Sequence, residues 1–209
     1  MNAIVDDYGW KDATPKCSAV YLIDPIIAEL NRLGARKVLD LGCGNGAMCK
    51  LLSDAGFEVT GCDADTNGIE IATKQFPTIS FFQASVYDDP TKILPSKEFD
   101  AVISTEVVEH LFEPRALPSF ASQVLKRNGS LIISTPYHGW LKNTLISLCN
   151  KWDDHHNPMY DGGHIKFWSY ATMSHLLEEG GFSLNRFVGA GRIPLLWKSM
   201  IVSAEKKGL

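Results

Sequence analysis

The chain has 209 residues and a formal net charge of −4, with 45% hydrophobic and 21% charged residues, proportions of a soluble globular fold with its own core. The acidic balance argues against a broad nucleic-acid surface, and no apolar run approaches the roughly 20 residues of a membrane-spanning helix. The acidic opening MNAIVDDYGWKD lacks a signal-peptide pattern, and five scattered cysteines without a CxxC pair read as reduced thiols, so a cytoplasmic protein is expected.

Helix and strand patterns alternate from there. Residues 17–34 carry apolar side chains at helical spacing and end on a glycine suited to a C-cap. A short apolar strand at 37–41 precedes a helix at 47–56, a strand at 57–63, a helix at 67–76 stopped before Pro77, and a strand at 79–85. The strand at 99–106 has a continuous apolar centre. A helix expected at 114–129 must take Pro118 into its first turns or kink there. A strand at 130–136, a helix at 169–181 with Ser169 as N-cap, and strands at 182–190 and 197–206 complete the series. Apolar strands separated by helices imply a mostly parallel sheet covered on both faces. The last two strands have no helix between them and should pair antiparallel. The expected fold class is α/β: a doubly wound, seven-stranded, mostly parallel sheet with an antiparallel C-terminal hairpin, in a single domain over 1–209. Residues 1–34 would form an N-terminal cap and helix. The stretch 137–168 is long for a connection and reads as an insertion, either a lid or a substrate-binding element.

In such sheets ligands bind beyond the carboxyl ends of the strands, where the strand order reverses. Just past the first strand the chain reads DLGCGNG, with Asp40 ahead of Gly42, Gly44 and Gly46. Glycines there permit backbone angles closed to other residues and let a ligand approach the main chain. The spacing is G-x-G-x-G rather than the G-x-G-x-x-G of NAD sites. Asp63 closes the second strand, where an acid can accept both hydroxyls of a ribose. A tight strand-to-helix turn without a ligand is the plainer alternative.

The successive motifs VLDLGCGNG, VTGCDAD, FQASVYDD, FDAVISTEVVEHL and LKRNGSLIISTP resemble those of class I S-adenosylmethionine-dependent methyltransferases, a Rossmann-like family, over about Lys37 to Pro136. The resemblance implies S-adenosyl-L-methionine as cofactor. It implies that the glycine loop, Cys43 included, faces the methionine part. Asp63 would hold the ribose with Ala64 beside the adenine, and Ala84, Ser85 and Val86 would contact the adenine. Thr105 and Glu106 would line the methyl-transfer site. The segment from Tyr8 to Trp10 either covers the sulfonium, since aromatic faces attract cations, or is ordinary packing.

The run STEVVEHLFEP sets Glu106, Glu109 and His110 at i, i+3 and i+4, one face if a helical turn follows the strand. Two carboxylates and an imidazole there suit a divalent cation. Alternatively, His110 or Glu106, as the catalytic residue, takes the proton of an acceptor hydroxyl. E-x-x-E-H followed by GHIKFWS resembles two branches of the superfamily: the ubiquinone-biosynthesis O-methyltransferases and the small-RNA 3′-terminal 2′-O-methyltransferases. In the latter a later histidine completes a magnesium or manganese site, and by position His164 would be that ligand. Structural or substrate-binding use of these residues is the alternative. Asp153 to His156 read as a solvated loop. Residues 140–152 put Trp140, Leu141, Leu145, Leu148, Cys149 and Trp152 on one broad face. Such an amphipathic helix packs on the domain, covers an apolar substrate or makes a peripheral membrane contact.

The reading is an S-adenosylmethionine-dependent methyltransferase that O-methylates a small or lipid-like acceptor. No Asn-Pro-Pro-Tyr follows the fourth strand, which disfavours the amine methylation that uses it, and no paired cysteine nucleophile suggests base C5 methylation. One alternative is an RNA 3′-terminal 2′-O-methyltransferase, against which the acidic charge stands. Another is a non-catalytic S-adenosylmethionine-binding sensor or partner subunit. The motifs name neither the acceptor nor an oligomeric state, because a fold and its cofactor site do not determine substrate.

Overall fold

Val38, Leu39 and Leu41 are fully buried, and this short apolar run lies in the middle of the sheet of the computed structural model, which describes residues 8–94, 98–156, 159 and 162–208. The first seven residues of the expected cap, and residues 157, 158, 160 and 161 of the expected insertion, lie outside the described residues.

The strands are β1 (Lys37–Leu41), β2 (Glu58–Asp63), β3 (Ser80–Gln83), β4 (Phe99–Thr105), β5 (Leu125–Pro136), β6 (Phe182–Ala190) and β7 (Ser199–Lys206). They form one seven-stranded sheet in the order β3-β2-β1-β4-β5-β7-β6. The first five run parallel, whereas β7 is antiparallel to both β5 and β6, as the missing helix between the last two strands implies. The order reverses between β1 and β4, so the loops after these two strands flank one crevice.

The helices are α1 (Cys17–Arg32), α2 (Ala47–Asp54), α3 (Thr66–Gln75), α4 (Pro90–Ile93), α5 (Ala116–Val124), α6 (Trp140–Leu148) and α7 (Tyr170–Glu179). On one face, Leu22, Ile26 and Leu30 of α1 pack with Leu52, Ile103 and Ile132. On the other, Leu117 and Phe120 of α5 and Leu177 of α7 pack with Leu131 and Phe182. Buried Glu29 ties α1 to the antiparallel edge by accepting from the Ser203 hydroxyl and pairing with Arg186 at 3.4 Å and Arg32 at 2.7 Å. Among the described residues no helix is long and apolar enough to cross a membrane.

Three local departures from the sequence pattern matter. The helix expected to run to Gly129 stops at Val124, because Leu125 turns extended and pairs with Phe99. The LKRNG run then joins β5 through an irregular register, with Asn128 at φ 63°. One unanticipated turn, α4, forms where the Asp89 side chain accepts from the Thr91 amide and Pro90 occupies the first turn. After β4 the backbone does not enter a helix directly: Glu106 takes φ 56°, and only Val108–His110 make a short 3-10 turn.

Candidate functional site

The loop after β1 is pinned from both sides. Cys62 O accepts from the Gly42 and Cys43 amides at 2.8 and 3.1 Å, and Gly46 starts α2 in the left-handed region at φ 76°. A side chain on Gly44 would run into the Trp10 ring, and one on Gly68 would come within 2.9 Å of the Gly44 carbonyl oxygen. These glycines are therefore demanded by the segments packed over the loop as well as by any ligand. Asn45 holds the overlying N-terminal strap, donating from Nδ2 to Asp12 O at 2.8 Å and Thr14 O at 3.0 Å. Asn67 holds it again at Trp10 O, 2.7 Å.

Asp63 ends β2 beside this loop. One of its carboxylate oxygens accepts from the Gly44 amide at 2.7 Å, the other from the Asp65 amide at 2.8 Å. Each oxygen keeps a lone pair for a further donor. Burial holds the Asp63 carboxyl above the usual carboxylate range despite those amides. Asp65 caps α3 through the Gly68 amide at 2.6 Å and accepts from the Tyr8 amide at 2.6 Å, which brings Tyr8 to the site.

A cavity of about 490 Å³ opens between these elements. Gly42, Cys43, Gly44, Asp63, Ala64, Ala84, Ser85, Val86, Thr105, Glu106, His110 and His164 all line it, together with Tyr8 and Trp10. Two residues expected to bind a cofactor stay off its wall. Asp40 is fully buried against the Cys49 thiol at 3.2 Å, and burial pushes its carboxyl up to about 7. Gly46 is enclosed by Ala72 and Phe81, which a Cβ there would approach within 3.0 Å.

Glu106, ahead of the short turn, and Glu109, within it, meet different partners. Left-handed Glu106 accepts from Ser134 Oγ at 2.8 Å and from Ser199 Oγ at 3.2 Å, and Ser199 Oγ lies 3.0 Å from the Tyr21 hydroxyl. Burial pushes the Glu106 carboxyl up to about 6, against the pull of those hydroxyls and of the Lys142 charge. Glu109 is fully buried. Its Oε2 accepts from Thr135 Oγ1 at 2.9 Å, and its Oε1 has no hydrogen-bond partner among the described residues. That orphaned oxygen lies 4.0 Å from His110 Nε2 and 3.9 Å from His164 Nε2. Burial, then the Glu106 charge, raises the Glu109 carboxyl well above its ordinary range.

The histidines are oriented by backbone. Gly162 O lies 2.6 Å from His110 Nδ1, and a carbonyl only accepts, so Nδ1 carries the hydrogen and Nε2 keeps its lone pair toward the cavity. The Glu109 carbonyl accepts from the Ile165 and Lys166 amides at 3.0 and 3.1 Å, which docks the end of the expected insertion and delivers His164. Burial lowers His110 below its ordinary value and pushes His164 down to about 4, so both rings are neutral at neutral pH.

Of the four expected metal ligands, Glu109, His110 and His164 converge, with donor atoms all within 4.8 Å of one another. Glu106 is outside that group, because its own left-handed backbone, in place of a helical turn, aims it at Ser134 and Ser199. His156 also departs from the solvated loop expected for it. Its ring stacks between Trp152 at 5.1 Å and His138 at 5.6 Å, while Asp153, Asp154 and His155 are exposed. On α6 the buried side chains are Lys142 and Ile146, while Trp140 and Leu148 of the expected apolar face are 73% and 77% exposed. Ser199 and Tyr21 had no motif to mark them, Asp65 and Ser134 lay inside quoted motifs without a role, and Asn45 was a polar residue inside the glycine loop.

A family model described as a methyltransferase domain matches residues 18–185. A ubiquinone biosynthesis O-methyltransferase of Bradyrhizobium diazoefficiens is 30% identical over 151 residues, covering 63% of this chain and 58% of that protein. A probable S-adenosylmethionine-dependent methyltransferase of Mycolicibacterium smegmatis is 28% identical over 165 residues, covering 77% of this chain and 59% of its own length. The chain thus spans less than two thirds of the length of these curated relatives. The fold is that of magnesium protoporphyrin IX methyltransferase from Synechocystis PCC 6803, crystallised with bound SAH, at a TM-score of 0.67, 22% identity, and coverage of 89% of this chain and 82% of that one.

Proposed function

The chain belongs to the methyltransferase-domain family, and from that premise we propose that it moves a methyl group from S-adenosylmethionine to an oxygen of a small or lipid-like acceptor. The observation that carries the reading is Asp63, whose two oxygens are fixed by backbone amides with lone pairs to spare, at the edge of a cavity floored by the glycine loop. The cavity volume, about 490 Å³, is within the usual range for a ligand site. Bound there, the cofactor supplies a methyl group on a positively charged sulfur, already a good leaving group.

The chain's own residues then do the positioning. Asp63 would accept hydrogen bonds from the ribose hydroxyls, Ala84 to Val86 would wall the adenine, and Tyr8 would offer its ring to the sulfonium, whereas the Trp10 ring already carries the Lys16 ammonium at 4.0 Å. In-line alignment of this kind is worth on the order of 7–11 kcal/mol. With no cation at that nitrogen, His110 Nε2, its lone pair toward the cavity, would take the proton of the acceptor hydroxyl, with Glu106 on the same wall. The name of the Bradyrhizobium relative supports an oxygen acceptor of lipid-like character. The exposed Trp140 and Leu148 of α6 are assigned to an apolar acceptor or a lipid surface.

A divalent cation fits Glu109, His110 and His164: one orphaned carboxylate oxygen and two imidazole nitrogens suit manganese or zinc. Such an ion supplies orientation and a lowered pKa to the acceptor hydroxyl. The test of the activity uses methyl-labelled cofactor with fractionated cell extract. Label in the lipid or small-molecule fraction is expected, label confined to RNA would transfer the reading to RNA methylation, and tight cofactor binding without any transfer would make the protein a sensor. The metal is tested by chelation: turnover should fall, return with manganese in the wild type, and not return in His164→Ala. Full turnover after chelation would leave His110 as a metal-free base.

A further inference from the structure

A second cavity of about 490 Å³ lies apart from the glycine loop, between α6 and the connection from β6 to β7. Its floor is apolar: Leu145 and Ile146 from α6, Ile193 and Leu196 from the connection. Its charged lining is all of one sign, with Lys142, Lys151 and Arg192 and no carboxylate among the described residues. Lys151 is already paired with Asp154 at 2.8 Å. Lys142 and Arg192 have no ion-pair partner among the described residues, and the Lys142 ammonium has only the Lys198 carbonyl at 3.2 Å.

This arrangement is costly as it stands. Burial and then the Arg192 charge push the Lys142 ammonium down to about 8 against the pull of Glu106, and Ile193 holds its side chain 66% exposed. Two neighbouring cations facing an empty apolar trough are matched by one chemistry: an anion that carries a hydrocarbon chain. A neutral chain leaves the cations uncompensated, and a free inorganic anion leaves the floor wet.

We propose that this groove binds an anionic amphiphile, its alkyl chain along Leu145, Ile146, Ile193 and Leu196 and its phosphate or carboxylate at Lys142 and Arg192. The site is separate from the methyl-transfer cavity and does not depend on that activity.

Calorimetry with monomeric decyl phosphate, below its micelle concentration, tests it on the full chain. One saturable site is expected, with affinity at least tenfold weaker in Arg192→Glu and unchanged in Asp63→Ala. Arg192 is exposed, so its replacement leaves the fold intact. Decyltrimethylammonium and inorganic phosphate should bind at least tenfold more weakly than decyl phosphate. Equal binding of the cationic homologue, or no effect of Arg192→Glu, would overturn the proposal. Association only with phosphatidylglycerol vesicles, without uptake of the monomer, would overturn it in favour of a bilayer-facing surface.

Discussion

At Glu106 a carboxylate is buried between two hydroxyls on a left-handed backbone, a conformation costing of order 1–3 kcal/mol for a non-glycine residue. Its pKa, raised to about 6 by burial, means the folded state favours the protonated form. That contribution to stability is full below the ordinary carboxylate value and is lost as pH rises through about 6. The neighbouring imidazoles act in the opposite sense. His164, pushed down to about 4, contributes stability above the ordinary histidine value that is lost as pH falls through about 4. A comparison with Glu106→Gln isolates the carboxylate, since a Gln carbonyl still accepts from Ser134 and Ser199. We expect Glu106→Gln to be about 2 kcal/mol more stable than wild type at pH 8, the advantage vanishing below pH ~4.5, with methyl transfer reduced. Urea melts at the two pH values measure this, and an equal offset at both would mean that the charge of Glu106 is not what strains the site.

Among the elements, the N-terminal strap is held by side chains of distant segments. Residues 8–14 include no helix or strand, yet side chains of Asn45 and Asn67 clasp their carbonyls, and Trp10 rests on Gly44. Asn45→Ala removes two of those clasps from one position. The cofactor dissociation constant should rise by roughly tenfold, about 1.4 kcal/mol, and limited proteolysis ahead of Cys17 should accelerate, with the melting temperature nearly unchanged. Unaltered proteolysis and affinity together would show that the strap is held without Asn45. The strap was only half legible: the aromatic pair in YGW stood out, but its landing place depends on hydrogen bonds to residues dozens of positions away. The strand at 37–41 needed no such help, since its apolar run reads as buried on both faces. The LKRNG stretch was misread as helix because its period is neutral there and the pairing of Leu125 with Phe99 decides.

For the whole molecule, the alternation of strands and helices was enough to reach the sheet and its closing hairpin, because connection rules leave few topologies for such a series. The crevice followed from that order. The Glu106 partners did not: Ser134 and Ser199 meet only through the antiparallel pairing of β5 with β7, which brings Pro136 opposite Ser199. A ligand at the crevice couples to global stability by mass action. S-adenosylhomocysteine at 100 times its dissociation constant should add about 2.7 kcal/mol, roughly 5–10 °C in melting temperature for a chain of this size. The shift should disappear in Asp63→Ala at the same ligand concentration, and a retained shift would remove Asp63 from the cofactor site. The double acceptance at the Glu109 carbonyl has a wider consequence. It moors the chain at Ile165 and Lys166, so the stretch between α6 and Gly162 can lengthen, shorten or diverge in sequence without carrying His164 out of register. Because doubling a loop costs only about 0.6 kcal/mol, that stretch is open ground on which descendants of this chain could acquire new acceptors while inheriting the same donors unchanged.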